Sequence, residues 1–331
     1  MTEDVASLLS VLNAAQGALE KGSSAAPRTW ETGFGLLDTY LGGGLRAGEL
    51  ILLGGPQGLG KTTFALQVLR HAVSVGGRAL FFSFEHDEQT LLERFIGLEA
   101  AELSGQEGAP LRLIREAMQN QDASAGDLAS RLSSTTGGAN AVAAVAAYGQ
   151  NVLLHRSSGR HTTVEVIRQA LLEAMKTGDA PLVVVDYLQK VAADGAGDEE
   201  ARVTHVVEGL KDLALEAGVP VLAVVAADRE GIVAGKRLRV HNLRGSSSLA
   251  YEADVVLLLN EKYDIVARHH LVYDTANAER YRDFAVLSID KNRSGLDKVD
   301  LEFRKRFEQG RFERDGQPVQ EQLVDARVFA D

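Results

Sequence analysis

Two hydrophobic periods divide this chain. Over residues 4–20, Val5, Leu8, Leu9, Leu12, Ala15 and Leu19 recur at three- and four-residue spacing, which predicts an amphipathic helix closed by Lys21-Gly22. The stretch Ser23-Ser24-Ala25-Ala26-Pro27 reads as a linker, so residues 1–29 are expected to stand apart from a single domain at 30–331. Such a helix folds back on its own domain or docks on a neighbouring subunit, and the pattern favours neither. From Trp30 onward, short apolar runs alternate with helical stretches. Strands are predicted at 50–53, 79–84, 152–155, 182–185, 219–225, 255–259 and 285–289, and helices at 63–75, 88–100, 163–176 and 200–217. Several strands are continuously apolar, as expected when both faces are covered. The alternation predicts an α/β fold, a mostly parallel twisted sheet flanked by helices. Residues 300–303 and 311–313 are expected to form a C-terminal antiparallel hairpin, and 102–150 to add short helices and loops.

Composition changes the picture mainly by exclusion. The 331 residues include no cysteine, so disulfides, thiolate catalysis and cysteine-ligated zinc are out. The acidic N-terminus lacks the basic and apolar blocks of a signal peptide, and no apolar run approaches the ~20 residues of a bilayer span. A cytoplasmic location without membrane contact is the expectation. The net charge of −11 does not by itself attract nucleic acid, so any such site must be a local basic patch.

Candidate chemistry concentrates after the first apolar strand. Gly55-Pro56-Gln57-Gly58-Leu59-Gly60-Lys61-Thr62 fits G-x-x-x-x-G-K-[ST], with a strand leading in and a helix leading out from Thr63. Glycines allow a tight turn whose N–H groups point at phosphate oxygens, and the helix N-terminus adds partial positive charge. Lys61 is expected on the β- and γ-phosphates and Thr62 on Mg²⁺, making ATP and Mg²⁺ the expected cofactors. Glu85 ends the second strand, placed one strand from this loop, where it activates the attacking water or caps the next helix. Asp186 closes the apolar run 182–185 in a Walker B pattern and is a metal-ligand candidate. Lys291 and Arg293 flank Asn292 on extended chain and point to one side, toward a phosphate in their own subunit or the next, or toward solvent.

Taken together these strings resemble the RecA-type motor domain of the DnaB family of hexameric replicative helicases. The resemblance spans residues 28–315 and runs in family order. It includes Thr32-Gly33-Phe34-Gly35-Leu36-Leu37-Asp38, the P-loop, Phe82-Ser83-Phe84-Glu85, Asp186-Tyr187-Leu188-Gln189, Leu243-Arg244-Gly245-Ser246-Ser247-Ser248 and Lys291-Asn292-Arg293. It implies a RecA-like P-loop NTPase core, ATP hydrolysis between subunits of a hexameric ring or helical assembly, and action on single-stranded DNA. It implies Glu85 as catalytic glutamate, Lys291 and Arg293 reaching the neighbour's γ-phosphate, and the helix 4–20 docking on the adjacent motor. Arg229, Lys236, Arg237, Arg239, Arg244, Gly245 and Ser246 become DNA-contact candidates, the five cations tracking the backbone or balancing an acidic loop.

Three departures accompany the resemblance. The family's N-terminal domain is expected to be missing, which puts primase-type contacts in doubt. Ala226 stands where the family carries a γ-phosphate-sensing glutamine, and a methyl group cannot hydrogen-bond. Asp194, Asp198, Glu199 and Glu200 crowd the loop after Asp186, where they would repel phosphates. Two alternatives follow. One is a RadA- or KaiC-like ATPase, suggested by Lys291-Asn292-Arg293-Ser294-Gly295 and the approach Gly42 to Leu50. The other is a nucleotide-switched assembly scaffold without helicase activity.

Overall fold

The structure, a computed structural model, describes residues 5–326 apart from 194, 196, 232, 234, 246, 273 and 274. Helix α1 (Leu8–Glu20) begins where Ser7 accepts a hydrogen bond from the Ser10 N–H at 3.1 Å, so the predicted helix starts four residues late. None of its residues is buried, and Val5, Leu8, Leu9, Leu12 and Leu19 all face solvent.

The body is one sheet built from β1 (Leu50–Gly55), β2 (Ala79–Ser83), β3 (Val152–Arg156), β4 (Leu182–Asp186), β5 (Val221–Ala226), β6 (Val255–Glu261), β7 (Phe284–Asn292), β8 (Val299–Arg306) and β9 (Arg311–Phe312). Its spatial order is β9-β8-β7-β6-β1-β5-β4-β2-β3, with β6 through β3 parallel and β7, β8 and β9 antiparallel. The predicted C-terminal hairpin is present as β8 and β9.

Alternation within the strands sorts the core into two layers. Ile51, Leu53, Phe81, Val184 and Leu222 face α2 (Lys61–Ser74) and α3 (Glu88–Ser104), meeting Phe64, Leu66, Leu69, Leu91 and Phe95. Leu50, Leu52, Phe82, Val183 and Val185 face α6 (Val164–Lys176) and α7 (Glu199–Ala217), meeting Ile167, Leu171, Val206 and Leu210. Each buried aliphatic side chain contributes about 1.5–3 kcal/mol. The segment after α3 forms α4 (Leu111–Gln119) and α5 (Gly138–Tyr148), with its own small core of Ile96, Ala100, Ile114, Leu132 and Ala141. Arg70 on α2 grips Glu99 on α3 through two 2.6 Å hydrogen bonds.

One topological expectation is corrected. Glu85 follows β2, which is not one strand from β1: β5 and β4 lie between them. Later parallel strands insert beside β1, so sequence order and sheet order diverge. The carboxyl ends of β1, β4, β5 and β2 still share one edge, and the site forms along it.

Candidate nucleotide site

The chain turns at the end of β1 into α2 through Gly60, whose φ is +85°. A Cβ there would stand 2.8 Å from the rings of Phe307 and Phe312, so space and backbone both require glycine. No side chain caps α2. Asp87 caps α3, Thr163 caps α6 and Asp198 caps α7, each accepting a backbone N–H. The N-terminus of α2 therefore keeps its donors open toward a cleft, the arrangement that binds phosphate.

The cleft measures about 540 Å³ and is lined by Gly55, Gln57, Gly58, Gly60, Lys61, Thr62, Thr63, Glu85, Arg94, Asp186, Ala226 and Arg244, with Leu111, Phe307 and Gly310 at its rim. Lys61 Nζ donates to the carbonyls of Gly55 at 2.8 Å and Pro56 at 2.9 Å. Burial lowers the Lys61 pKa, opposed by the charges of Asp186 and Glu85. Thr62 Oγ1 donates to Asp186 Oδ2 at 2.6 Å. Asp186 is 2% exposed, and burial pushes its carboxyl up to about 6 against the Thr62 hydrogen bond.

These oxygens fit a small hard cation. Mg²⁺ characteristically takes one or two protein oxygens and completes its shell with water and substrate phosphate. Among the described residues no group of three or more His, Cys, Asp or Glu could hold a metal ion. A divalent charge also suits a carboxylate that burial otherwise disfavours in its ionised form.

Most of the predicted phosphate-loop residues meet here. Leu59 is the exception: it is 5% exposed and packs into the core beneath the loop, because an apolar side chain in a tight turn turns away from a polar cleft. Pro56 contributes its carbonyl rather than a cleft-lining side chain. Glu85 is not a helix cap, since Asp87 fills that role. Its carboxylate lies 3.5 Å from Lys190 Nζ.

Lys291 and Arg293 do share one side, but it is not the cleft of their own chain. Lys291 Nζ donates to Ala250 O at 2.7 Å and Ala253 O at 2.5 Å, while Arg293 pairs with Asp254 at 3.2 Å and donates to Tyr251 O at 2.5 Å.

The five cations expected to track DNA do not form one open face. Arg237 is 7% exposed, paired with Asp300 and donating to Ser288 Oγ at 2.9 Å. Arg239 bridges Asp290 at 3.1 Å and Asp325 at 2.6 Å. Lys236 meets Glu230 at 3.1 Å and Arg244 meets Glu199 at 2.9 Å. Only Arg229 of the five makes no ion pair among the described residues. Gly245, with φ +124°, lets the loop pass Val203 on α7, where a Cβ would stand 2.7 Å away. Ser246 and Asp194 lie outside the described residues. Asp198 and Glu199, read as repulsive, serve as helix cap and ion-pair partner.

Two further residues bear on the site beyond the sequence candidates: Arg94, which belongs to no motif, and Gln189, which ends the Asp186-Tyr187-Leu188-Gln189 string. Arg94 on α3 lines the cleft with its pKa lowered, chiefly by burial and opposed by the charge of Asp186. Its only sequence signal is that it is the lone cation of a helix otherwise rich in glutamate. Gln189 is 5% exposed and bonds the ends of two neighbouring segments, Ala226 and Arg244.

Comparison with known proteins shows the family and the fold. Residues 30–313 match the family model described as the DnaB-like helicase C terminal domain. The replicative DNA helicase DnaB of Pasteurella multocida (strain Pm70) is 28% identical over 280 residues, covering 83% of this chain and 54% of that protein. The corresponding helicase of Haemophilus influenzae is 26% identical, covering 83% and 53%. The chain thus spans about half the length of the curated relatives it matches. Among solved structures, one described as an ATPase domain superposes with a TM-score of 0.69 at 21% identity, covering 93% of this chain and 99% of that one. A DnaB-like replicative helicase described with its interactions with primase gives 0.70 at 19% identity, covering 94% and 68%. Both show the fold, and the second gives no support to the doubt about primase-type contacts. No helix among the described residues is long and apolar enough to cross a membrane.

Proposed function

The chain belongs to the DnaB-like helicase C-terminal domain family, and on that premise we propose that it is an ATP-hydrolysing, helicase-type motor that works as an oligomer on single-stranded DNA. The observation that carries this reading is the Thr62–Asp186 contact beside the uncapped start of α2, with Glu85 on the same cleft. Lys61 exchanges its bonds to the Gly55 and Pro56 carbonyls for β- and γ-phosphate oxygens, and the open N–H groups of α2 hold the remaining ones. Thr62 and Asp186 would hold Mg²⁺, which supplies charge neutralisation on the phosphates when bound. Glu85 orients a water and accepts its proton as the water oxygen bonds the γ-phosphorus and the bond to the β–γ bridging oxygen breaks. Arg94 adds a fixed positive charge within the cleft.

Lys291 and Arg293, absent from their own cleft, are the residues that would complete the site of an adjacent subunit. The exposed apolar face of α1 offers that subunit a docking element, with α1 and its linker as a unit distinct from the ATPase domain. A hexameric ring or a helical assembly satisfies both. A cytoplasmic location is part of this reading, and a primase-type partner enters it from the solved neighbour alone.

Steady-state ATP hydrolysis with and without single-stranded DNA, with Lys61→Ala as blank, tests the proposal. Turnover stimulated by DNA is expected. A second reading, a nucleotide-switched assembly scaffold, is favoured by the Ala226 methyl in the cleft and by the pairing of Arg237 and Arg239. Turnover indifferent to DNA would select it.

A further inference from the structure

Ala226 offers no polar side chain to the cleft, so any signal between nucleotide and the loop at Arg244 must use other atoms. The turn Leu188–Lys190, directly after β4 and Asp186, supplies them. Gln189 Oε1 accepts the Ala226 N–H at 3.1 Å, and Gln189 Nε2 donates to the Arg244 carbonyl at 2.8 Å. The Arg244 N–H donates to Ala226 O at 2.9 Å, closing a three-way junction between the turn, the end of β5 and the start of the loop. The next residue, Lys190, places its ammonium 3.5 Å from Glu85 Oε1 and 5.0 Å from the centre of the Tyr187 ring.

The two contacts differ in stiffness. Gln189 is 5% exposed, and a buried amide is costly to leave without partners. Movement of the loop at Arg244 therefore carries the turn with it. The Lys190 and Glu85 side chains are 39% and 44% exposed, and exposed ion pairs are weak. A displacement of the turn thus shows first as a break between Lys190 and Glu85. While the pair holds, the carboxylate faces the ammonium rather than a water over the phosphates.

We propose that Gln189 and Lys190 form a relay in which the loop at Arg244, through the buried Gln189 amide, decides whether Lys190 holds Glu85 back from catalysis. Both are positioning residues, and the relay rests on the ATPase reading above. It assigns the coupling role to the turn after the Walker B strand.

The test is steady-state ATP hydrolysis by the full chain with Mg²⁺, with thermal unfolding as a check on folding. Lys190→Met keeps the stem and removes the charge. It should raise kcat without DNA about two- to fivefold, the size of an exposed ion pair, with KM unchanged, and Lys190→Arg should return kcat to the wild-type value. Gln189→Glu keeps the acceptor for Ala226 N–H but loses the donor to Arg244 O, and should lower the ratio of DNA-stimulated to basal turnover. A Lys190→Met enzyme that folds as wild type and turns over no faster overturns the relay. Absence of turnover in wild type and Lys190→Met alike overturns the ATPase reading and the relay together, whereas normal wild-type turnover with an inert Lys190→Met overturns the relay alone.

Discussion

Thr62 and Asp186, 124 residues apart, meet through a 2.6 Å hydrogen bond at the junction of α2 and β4. The hydroxyl partly compensates a carboxylate that burial drives up to about 6. The sign of the linkage follows: a carboxyl whose folded pKa exceeds its unfolded value contributes stability below the unfolded pKa, and that contribution is lost as pH rises through about 6. At pH 8 the ionised, metal-free Asp186 costs about 3 kcal/mol, at ~1.4 kcal/mol per pKa unit. Asp186→Asn should therefore make the metal-free protein more stable than wild type at pH 8, with the gap closing toward pH 4, while ATP turnover is lost. Urea unfolding across that pH range checks it, and parallel pH profiles for the two proteins would contradict it.

Lys61→Ala and Glu85→Gln should fail differently. Lys61 touches the bound phosphates in the proposed mechanism, so its loss should weaken nucleotide binding as well as turnover. Glu85→Gln keeps the shape of the side chain and removes the proton acceptor. It should bind a fluorescent ATP analogue normally and hydrolyse ATP about 10²- to 10⁴-fold more slowly. Wild-type turnover in Glu85→Gln would remove that residue from the mechanism.

Lys291 and Arg293 are held on carbonyls of Ala250, Tyr251 and Ala253 and on Asp254, away from their own cleft. If they serve the neighbour, each substitution should silence the adjacent site. Arg293→Ala alone should lose about 10³-fold or more of turnover, the range of an arginine finger. Mixing Arg293→Ala with Lys61→Ala should restore part of it, because one interface then joins an intact P-loop to an intact Arg293. Failure of the mixture to recover, with both proteins assembled by light scattering, would argue against a shared site.

Much of this arrangement can be read from local pattern. The P-loop is legible because its glycines, lysine and threonine sit on one tight turn, and Asp186 because it closes an apolar run. Strand order is less accessible. β4 and β5 enter between β1 and β2 only when the sheet assembles, so local pattern sets Glu85 too close to the P-loop strand. Arg94 acts through helix orientation, for which the neighbouring sequence carries no signal, and Gln189, though part of the Asp186-Tyr187-Leu188-Gln189 string, acts through partners at Ala226 and Arg244 that the string does not reveal. Arg237 and Arg239 read like their solvated neighbours, since the carboxylates that pair them, Asp290, Asp300 and Asp325, lie on later segments, and Arg244 meets Glu199 from an earlier one.

Arg229 and Arg237 therefore separate two roles that their shared charge conceals. Arg237 is buried against Asp300 and Ser288, so Arg237→Ala leaves Asp300 without its cation and should cost about 3 kcal/mol of stability. Arg229 is exposed and makes no ion pair among the described residues. Arg229→Ala should leave stability within about 0.5 kcal/mol. If the loop meets single-stranded DNA, the same substitution should weaken binding and flatten the slope of log affinity against log salt by about 1. Urea midpoints and a salt titration of DNA affinity on the two variants measure both effects. An Arg229→Ala protein with unchanged affinity and slope would remove that residue from the DNA surface, and a stable Arg237→Ala protein would show that the Asp300 pair does not hold the loop.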